Sequence, residues 1–243
     1  MNLLLLEPGE LLPDGTARLH GRRLQHAKEV LQAQASDQLR VGVRGGNSGL
    51  AHVLSIDDRE LVLRPNLSEP PPARPGIDLL LGFPRPKALN RILPALASFG
   101  VDRIALINGA TVEKSYFASP LIEAESVAAL FSLGLEQARD TLAPQLSVHK
   151  RFKPFIEDEL DSLFPTAHRL LAHPGPPTNR ALLTRGSETP RTLLAVGPDG
   201  GWVHFELELL ASRGFQQIRL GTRPLRTEIA VPALIGALLA ASQ

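Results

Sequence analysis

The sequence predicts an α/β fold on a mostly parallel sheet, preceded by a small β-rich module. Three observations carry this. After Gly76, short apolar runs alternate with helical stretches as far as the C-terminus, the pattern of strands joined by crossover helices. Before residue 70 the chain holds three short strand-like runs separated by turn residues, and one helical stretch. Between them lies Asn66-Leu-Ser-Glu-Pro-Pro-Pro-Ala-Arg-Pro-Gly76, whose prolines exclude helix and central strand and favour an extended linker. Residues 1–70 and 76–243 therefore read as two domains.

In the first, Gln25 to Ala35 has helical periodicity, and Gln38 to Val43, Gly49 to Ile56 and Glu60 to Arg64 are strand-like. Gly45-Gly-Asn-Ser-Gly49 and Asp57-Asp58 supply the turns, which suits a barrel-like module. In the second, strands are predicted at Ile77 to Gly82, Val101 to Asn108, Leu146 to Phe152, Arg169 to Ala172, Arg191 to Val196 and Phe215 to Leu220. Helices are predicted at Lys87 to Phe99, Leu121 to Arg139, Phe155 to Phe164 and Phe205 to Arg213. Gly100 and Gly214 stop the first and last of these. The closing helix, Ile229 to Ser242, has no charged residue and no polar face, so both of its sides need cover. A homodimer through this helix, or full burial within one subunit, would provide it; Gly236, Ala237, Ala240 and Ala241 allow close approach.

Composition narrows the function. Cysteine is absent, which excludes disulfides and thiolate metal sites and favours a reducing compartment. The start has no basic n-region, and no apolar run reaches the ~20 residues of a membrane span. A cytoplasmic protein without membrane or metal partners is expected; the seven histidines show no metal-ligand spacing. A net charge of +1 argues against generic coating of polyanions. Of 26 basic residues, however, all but Lys28, Lys87, Lys114, Lys150 and Lys153 are arginine. Arginine suits bidentate recognition of phosphates, although a GC-rich genome gives the same bias. Arg18, Arg22 and Arg23, and Arg85, Lys87 and Arg91, form local basic clusters.

The chemistry points to loops at the carboxyl ends of strands, where open α/β sheets bind ligands. Gly197-Pro-Asp-Gly-Gly-Trp202 follows the apolar run Leu193 to Val196. It matches no phosphate-binding fingerprint and, alone, reads as a tight turn. Leu220-Gly-Thr-Arg-Pro-Leu-Arg-Thr-Glu-Ile-Ala230 places Arg226 and Glu228 between a strand and the apolar helix. His173-Pro174 leaves a third strand, and Arg85-Pro-Lys87 a fourth. Tyr116, the single tyrosine, suits either base stacking or core packing.

Strand, GPDGG-W, helix, strand and then LGTRPLRTEIA closely resembles the carboxyl-terminal signature of the SPOUT-class RNA methyltransferases. More narrowly it is similar to the RsmE family, which methylates N3 of a uridine in 16S ribosomal RNA. His26-Ala-Lys-Glu-Val-Leu31, Gly100-Val-Asp-Arg-Ile104 and Glu136-Gln-Ala-Arg139 are weaker echoes. The resemblance spans the chain, but only the two C-terminal loops are specific.

It implies a PUA-like β-barrel followed by an α/β domain with a deep trefoil knot, an exception to unknotted topology. It implies S-adenosylmethionine as cofactor, held by His173, Val196, Gly197, Pro198, Gly200, Gly201, Leu220, Gly221 and Leu225. Arg226 is implied to stabilise the negative charge developing on uracil, with Glu228 orienting it or taking the proton, orientation being preferred. The target base is expected to leave its stack. Arg22, Arg23, Arg85 and Lys87 are the expected RNA contacts, and the small ribosomal subunit the expected partner. Four positions depart from the family: Asp199 replaces glutamate, Val203 a helix-capping serine and Gln32 an arginine, and Pro232 falls early in the last helix. Alternatives are a related enzyme acting at another RNA position or a ribose 2′-oxygen, and a non-catalytic assembly factor.

Overall fold

A computed structural model of the chain describes residues 3–166, 168–175 and 191–241. It comprises two compact units, one of residues up to Ala73 with Ser132–Ala143, the other of Arg74–Phe131 with residues from Pro144 onward.

The first unit holds β1 (Leu4–Leu6), β2 (Ala17–Leu19), α1 (Gly21–Glu29), β3 (Gln38–Val43), β4 (Ser48–Ile56) and β5 (Leu61–Glu69). The strands form one sheet in the order β1-β3-β4-β5-β2, with β1 parallel to β3 and the other pairs antiparallel. Strands β1 and β2 were not expected; three residues are too few to show alternation. Helix α1 starts and stops earlier than Gln25 to Ala35. Gln32 (φ 51°) and Ser36 (φ 77°) take left-handed conformations that a helix cannot contain.

Strand β5 runs past Arg64 to Glu69, into the expected linker. It can lie close to β4 because position 49 is glycine: a Cβ there would sit 1.9 Å from the Asn66 carbonyl oxygen. Leu4, Leu6, Leu19, Val41, Leu61 and Leu63 form the core. Ser132–Ala143 is tied in by Arg44, which donates to Ser132 Oγ at 2.7 Å, and by the Gly45 N–H, which donates to the Thr141 carbonyl at 2.8 Å. A boundary at the proline-rich segment takes no account of this second piece of chain.

The second unit contains β6 (Ile77–Gly82), α2 (Pro86–Ser98), β7 (Arg103–Ile107), α3 (Ala124–Ala138, continuing past Phe131), β8 (Gln145–His149), α4 (Phe152–Pro154), α5 (Leu160–Leu163), β9 (His168–Ala172), β10 (Thr192–Val196), α6 (His204–Ser212), β11 (Gln216–Ile218) and α7 (Thr227–Ala240). A π-helical turn, Phe155–Glu159, joins α4 to α5 where one short helix was expected. All strand pairs are parallel, in the order β11-β9-β10-β6-β7-β8. Leu80, Ala105, Leu171, Leu193 and Ala195 present one sheet face to Phe155, Ile156, Leu160, Trp202 and Leu210. Outside that cluster, α2 packs on α7 and α7 on β10.

At the amino ends of the strands, Asp78 is fully buried and satisfied by two arginines. Arg103 Nε donates to it at 3.0 Å and Arg191 Nη2 at 2.8 Å. Burial alone would raise its carboxyl pKa, but the two guanidiniums outweigh that and hold it below its ordinary value.

Helix α7 buries Thr227, Val231, Leu234, Ile235 and Leu238 along one stripe. Its other side is apolar but uncovered: Ile229 is 53% exposed, and Ala233, Gly236 and Ala237 are partly so. Among the described residues nothing in the subunit covers this side.

Candidate active site

The strand order reverses at β6. From there the chain steps outward through β7 and β8, then returns to place β10 on the other side of β6, with β9 and β11 beyond. The carboxyl ends of β6 and β10 thus flank a topological switch point, where such sheets take ligands. The turn after β10 is wedged there. A Cβ on Gly82 would lie 2.3 Å from Pro198 Cδ, and one on Gly200 2.7 Å from Thr111 Cβ. Only glycine at both places lets the turn sit so deep. The buried Glu206 steadies its far side, accepting from the Val203 N–H at 2.9 Å and the Ala110 N–H at 2.8 Å. The cap that Val203 cannot offer to α6 is thus partly made good by a residue three positions on.

A cleft of about 400 Å³ opens above this switch point. Its lining includes all nine expected cofactor residues: His173, Val196, Gly197, Pro198, Gly200, Gly201, Leu220, Gly221 and Leu225. Thr227, Ala230 and Leu234 of α7 complete the wall; of these, Ala230 and Leu234 fall in the stretch expected as the apolar closing helix and were missed as cofactor residues. The donor set suits an adenosine with a short polar tail: apolar walls from Val196, Ile218 and Leu234, backbone groups of the glycine turns, and Arg219 and Arg223 at the rim. Trp202 also lines it, and its indole N–H is buried with no hydrogen-bond partner among the described residues, a donor suited to a polar ligand.

Next to it is a second cleft of about 290 Å³, lined by Arg85, Lys87, Ala88, Arg91, Arg226 and Glu228. The two expected catalytic residues and two of the expected RNA contacts therefore meet in one place, with Arg91 in addition. Lys87, Arg91 and Arg226 make no ion pair among the described residues. Nor do Arg226 and Glu228 pair with each other, contrary to the expected orienting role for Glu228. One Glu228 carboxylate oxygen is buried without a hydrogen-bond partner among the described residues.

Asp199 joins the two clefts. Its carboxylate accepts from Arg85 Nε at 2.9 Å and from the Arg85 N–H at 3.3 Å, and Thr227 Oγ1 donates to it at 3.2 Å. The hydrogen bond to Asp199 raises the Arg85 pKa, so this guanidinium stays charged at any working pH.

Other expected residues lie elsewhere. Arg22 and Arg23 belong to the first unit, and both have internal partners. Arg22 makes a bidentate pair with the buried Glu136, its shortest contact 2.9 Å; Arg23 donates to the Leu5 carbonyl at 2.8 Å and pairs with Glu10. A buried carboxylate needs a counter-charge, which accounts for Arg22 better than RNA contact does. Tyr116 packs at 6.2 Å from Phe83 and donates to Glu113 at 3.2 Å, so it serves local packing. Pro232 falls in the second turn of α7, where it leaves the Glu228 carbonyl without its usual helical donor. Among the described residues no cluster of metal-ligating side chains occurs.

The chain matches the family model of the RNA methyltransferase domain over residues 71–239. It is 32% identical to the ribosomal RNA small subunit methyltransferase E of Treponema pallidum, covering 99% of this chain and 91% of that protein. Two solved structures share the fold. One is a methyltransferase of Legionella pneumophila in complex with S-adenosylmethionine: TM-score 0.78, 20% identity, 99% of this chain and 98% of that one covered. The other is the ribosomal RNA small subunit methyltransferase E of Neisseria gonorrhoeae bound to S-adenosyl methionine: TM-score 0.77, 18% identity, 100% and 98% covered. With the paired turns at the switch point and an end-to-end relative above 30% identity, the chain belongs to the ribosomal RNA small subunit methyltransferase E family.

Proposed function

We propose that the protein methylates N3 of a uridine in 16S ribosomal RNA of the small ribosomal subunit, using S-adenosylmethionine. The observation that carries this is the pairing of the two clefts. One is walled by the turns after β9, β10 and β11; beside it, Arg226 and Glu228 stand with Arg85, Lys87 and Arg91, of which Lys87 and Arg91 make no ion pair among the described residues. Bound in the first cleft, S-adenosylmethionine supplies a methyl group on a positively charged sulfur.

Uracil N3 becomes nucleophilic on losing its proton, and the charge then spreads onto the flanking carbonyl oxygens. Arg226 stabilises that charge. Glu228 takes the proton; its unpartnered oxygen and the lack of an Arg226 pair favour this over an orienting role. Arg85, Lys87 and Arg91 hold phosphates around the extruded nucleotide.

The remaining assignments rest on the family and the architecture together. Residues 1–70, the larger piece of the first unit, act as the PUA-like RNA-binding barrel, their five strands packed on one apolar core. The second unit carries the trefoil knot, in keeping with the strand order and the placement of the turns after β10 and β11. The uncovered apolar side of α7 packs on a second copy to give a homodimer, and the enzyme works in the cytoplasm. Among the described residues no helix is long and apolar enough to cross a membrane.

Transfer of labelled methyl groups to unmodified 16S RNA tests the reading. Arg226→Ala is expected to lose about 10²- to 10³-fold in kcat, while S-adenosylmethionine affinity measured by calorimetry stays at the wild-type value. Undiminished turnover removes the role given to Arg226.

A further inference from the structure

We propose that Asp199 is a positioning residue through which the charged cleft answers to the cofactor cleft, so that a bound cofactor tightens binding of RNA. The inference rests on the assignment of S-adenosylmethionine to the first cleft and RNA to the second.

Asp199 lines the first cleft, yet its side chain is engaged with both walls of the second. On one wall, Oδ2 accepts from the Nε and backbone N–H of Arg85, the residue that caps α2. On the other, Oδ1 accepts from Thr227, which lies between Arg226 and Glu228 in the first turn of α7. One carboxylate therefore sets the spacing between Arg85 and the Arg226–Glu228 wall. Its own position is fixed by the wedged Pro198 and Gly200 on either side.

The loop on the far side of the first cleft is less constrained. Residues 221–226 are exposed, and residues 220–225 make no hydrogen bond among the described residues, yet they run directly into Arg226. A ligand filling the first cleft touches both segments, the turn bearing Asp199 and the loop leading to Arg226. It therefore orders the two sides of the charged cleft at once, and RNA binding afterwards costs less ordering. Glutamate has the same charge and a longer reach. Asparagine keeps the shape but loses the charge that holds Arg85.

The affinity of unmodified 16S RNA transcript is measured with and without saturating S-adenosylhomocysteine. For the wild type, RNA is expected to bind about fivefold or more tightly when the cleft is filled. By linkage, RNA must raise S-adenosylhomocysteine affinity by the same factor. Asp199→Asn is expected to bind S-adenosylhomocysteine but to bind RNA weakly and with no dependence on it, and Asp199→Glu to restore the dependence. Arg85→Gln removes the other end of the contact and should abolish the same dependence. Equal RNA affinity in both conditions for the wild type, or full dependence retained in Asp199→Asn, overturns the proposal. A wild-type protein that binds no S-adenosylhomocysteine would instead overturn the functional reading beneath it.

Discussion

Replacing Gly82 by alanine probes how tightly the site is built into the sheet. Gly82 ends β6, and the Cβ it lacks would fall 2.3 Å from Pro198 Cδ and 2.5 Å from Pro198 N. Ordinary contact begins near 3.4 Å, so the turn must retreat by about 1 Å. Pro198 cannot relieve the clash by rotating a side chain, because its ring is part of the backbone. Overpacking of this kind costs about 1–3 kcal/mol. For a chain of this size that lowers Tm by roughly 2–12 °C.

The retreat also carries Pro198 into the cofactor cleft that it lines. Loss of one to two tenfold steps in S-adenosylmethionine affinity, about 1.4–2.8 kcal/mol, is expected. Calorimetry with S-adenosylmethionine and a thermal melt read the two effects separately. Gly46→Ala is the control: its Cβ would meet its nearest neighbour at an ordinary 3.6 Å, and cofactor affinity should not change. A Gly82→Ala protein with wild-type Tm and wild-type cofactor affinity would refute the wedge.

Asp78→Ala leaves Arg103 and Arg191 facing a buried gap and should cost about 3–5 kcal/mol at neutral pH, measured by denaturant unfolding. Because the folded carboxyl lies below its ordinary 3.8, its stabilisation is complete above that value and is lost as pH falls through the lower folded value. The wild type should therefore lose more stability than Asp78→Ala between pH 4 and about pH 2; parallel acid curves would contradict the assignment. Ile229→Asp puts a charge on the uncovered side of α7. Light scattering is expected to show a dimer for the wild type and a monomer for the variant, and an unchanged mass would remove α7 from the interface. Saturation with S-adenosylmethionine at 100 times its Kd should add about 2.7 kcal/mol of stability, seen as a higher Tm; no shift would mean that the folded protein does not bind it.

Much of the second unit was legible because its strands and helices are long enough to show their periods. Gly100 and Gly214 also punctuate them where φ is positive, at 70° and 80°. That the nine expected cofactor residues line one cleft was legible through the family resemblance of three loops, those holding His173, Gly197 to Gly201 and Leu220 to Leu225. What the sequence hid is long-range. Nothing local distinguishes Asp199 from a solvated turn residue; its role depends on Arg85, 114 positions away. Arg22 looked free because its partner Glu136 lies in another part of the chain and is buried by tertiary packing alone. Strands β1 and β2 escaped because three residues carry no period, and the π-turn at Phe155–Glu159 because its composition reads as α-helix.

The central claim is that the cleft between the turns after β10 and β11 delivers a methyl group to a ribosomal uridine. Mapping modified nucleosides in 16S RNA by mass spectrometry, from cells with and without this gene, tests it most directly. A single N3-methyluridine that disappears with the gene and returns with the wild-type copy, but not with Arg226→Ala, is the predicted result. An unchanged uridine pattern, or a methyl group lost from a ribose 2′-oxygen instead, would contradict it.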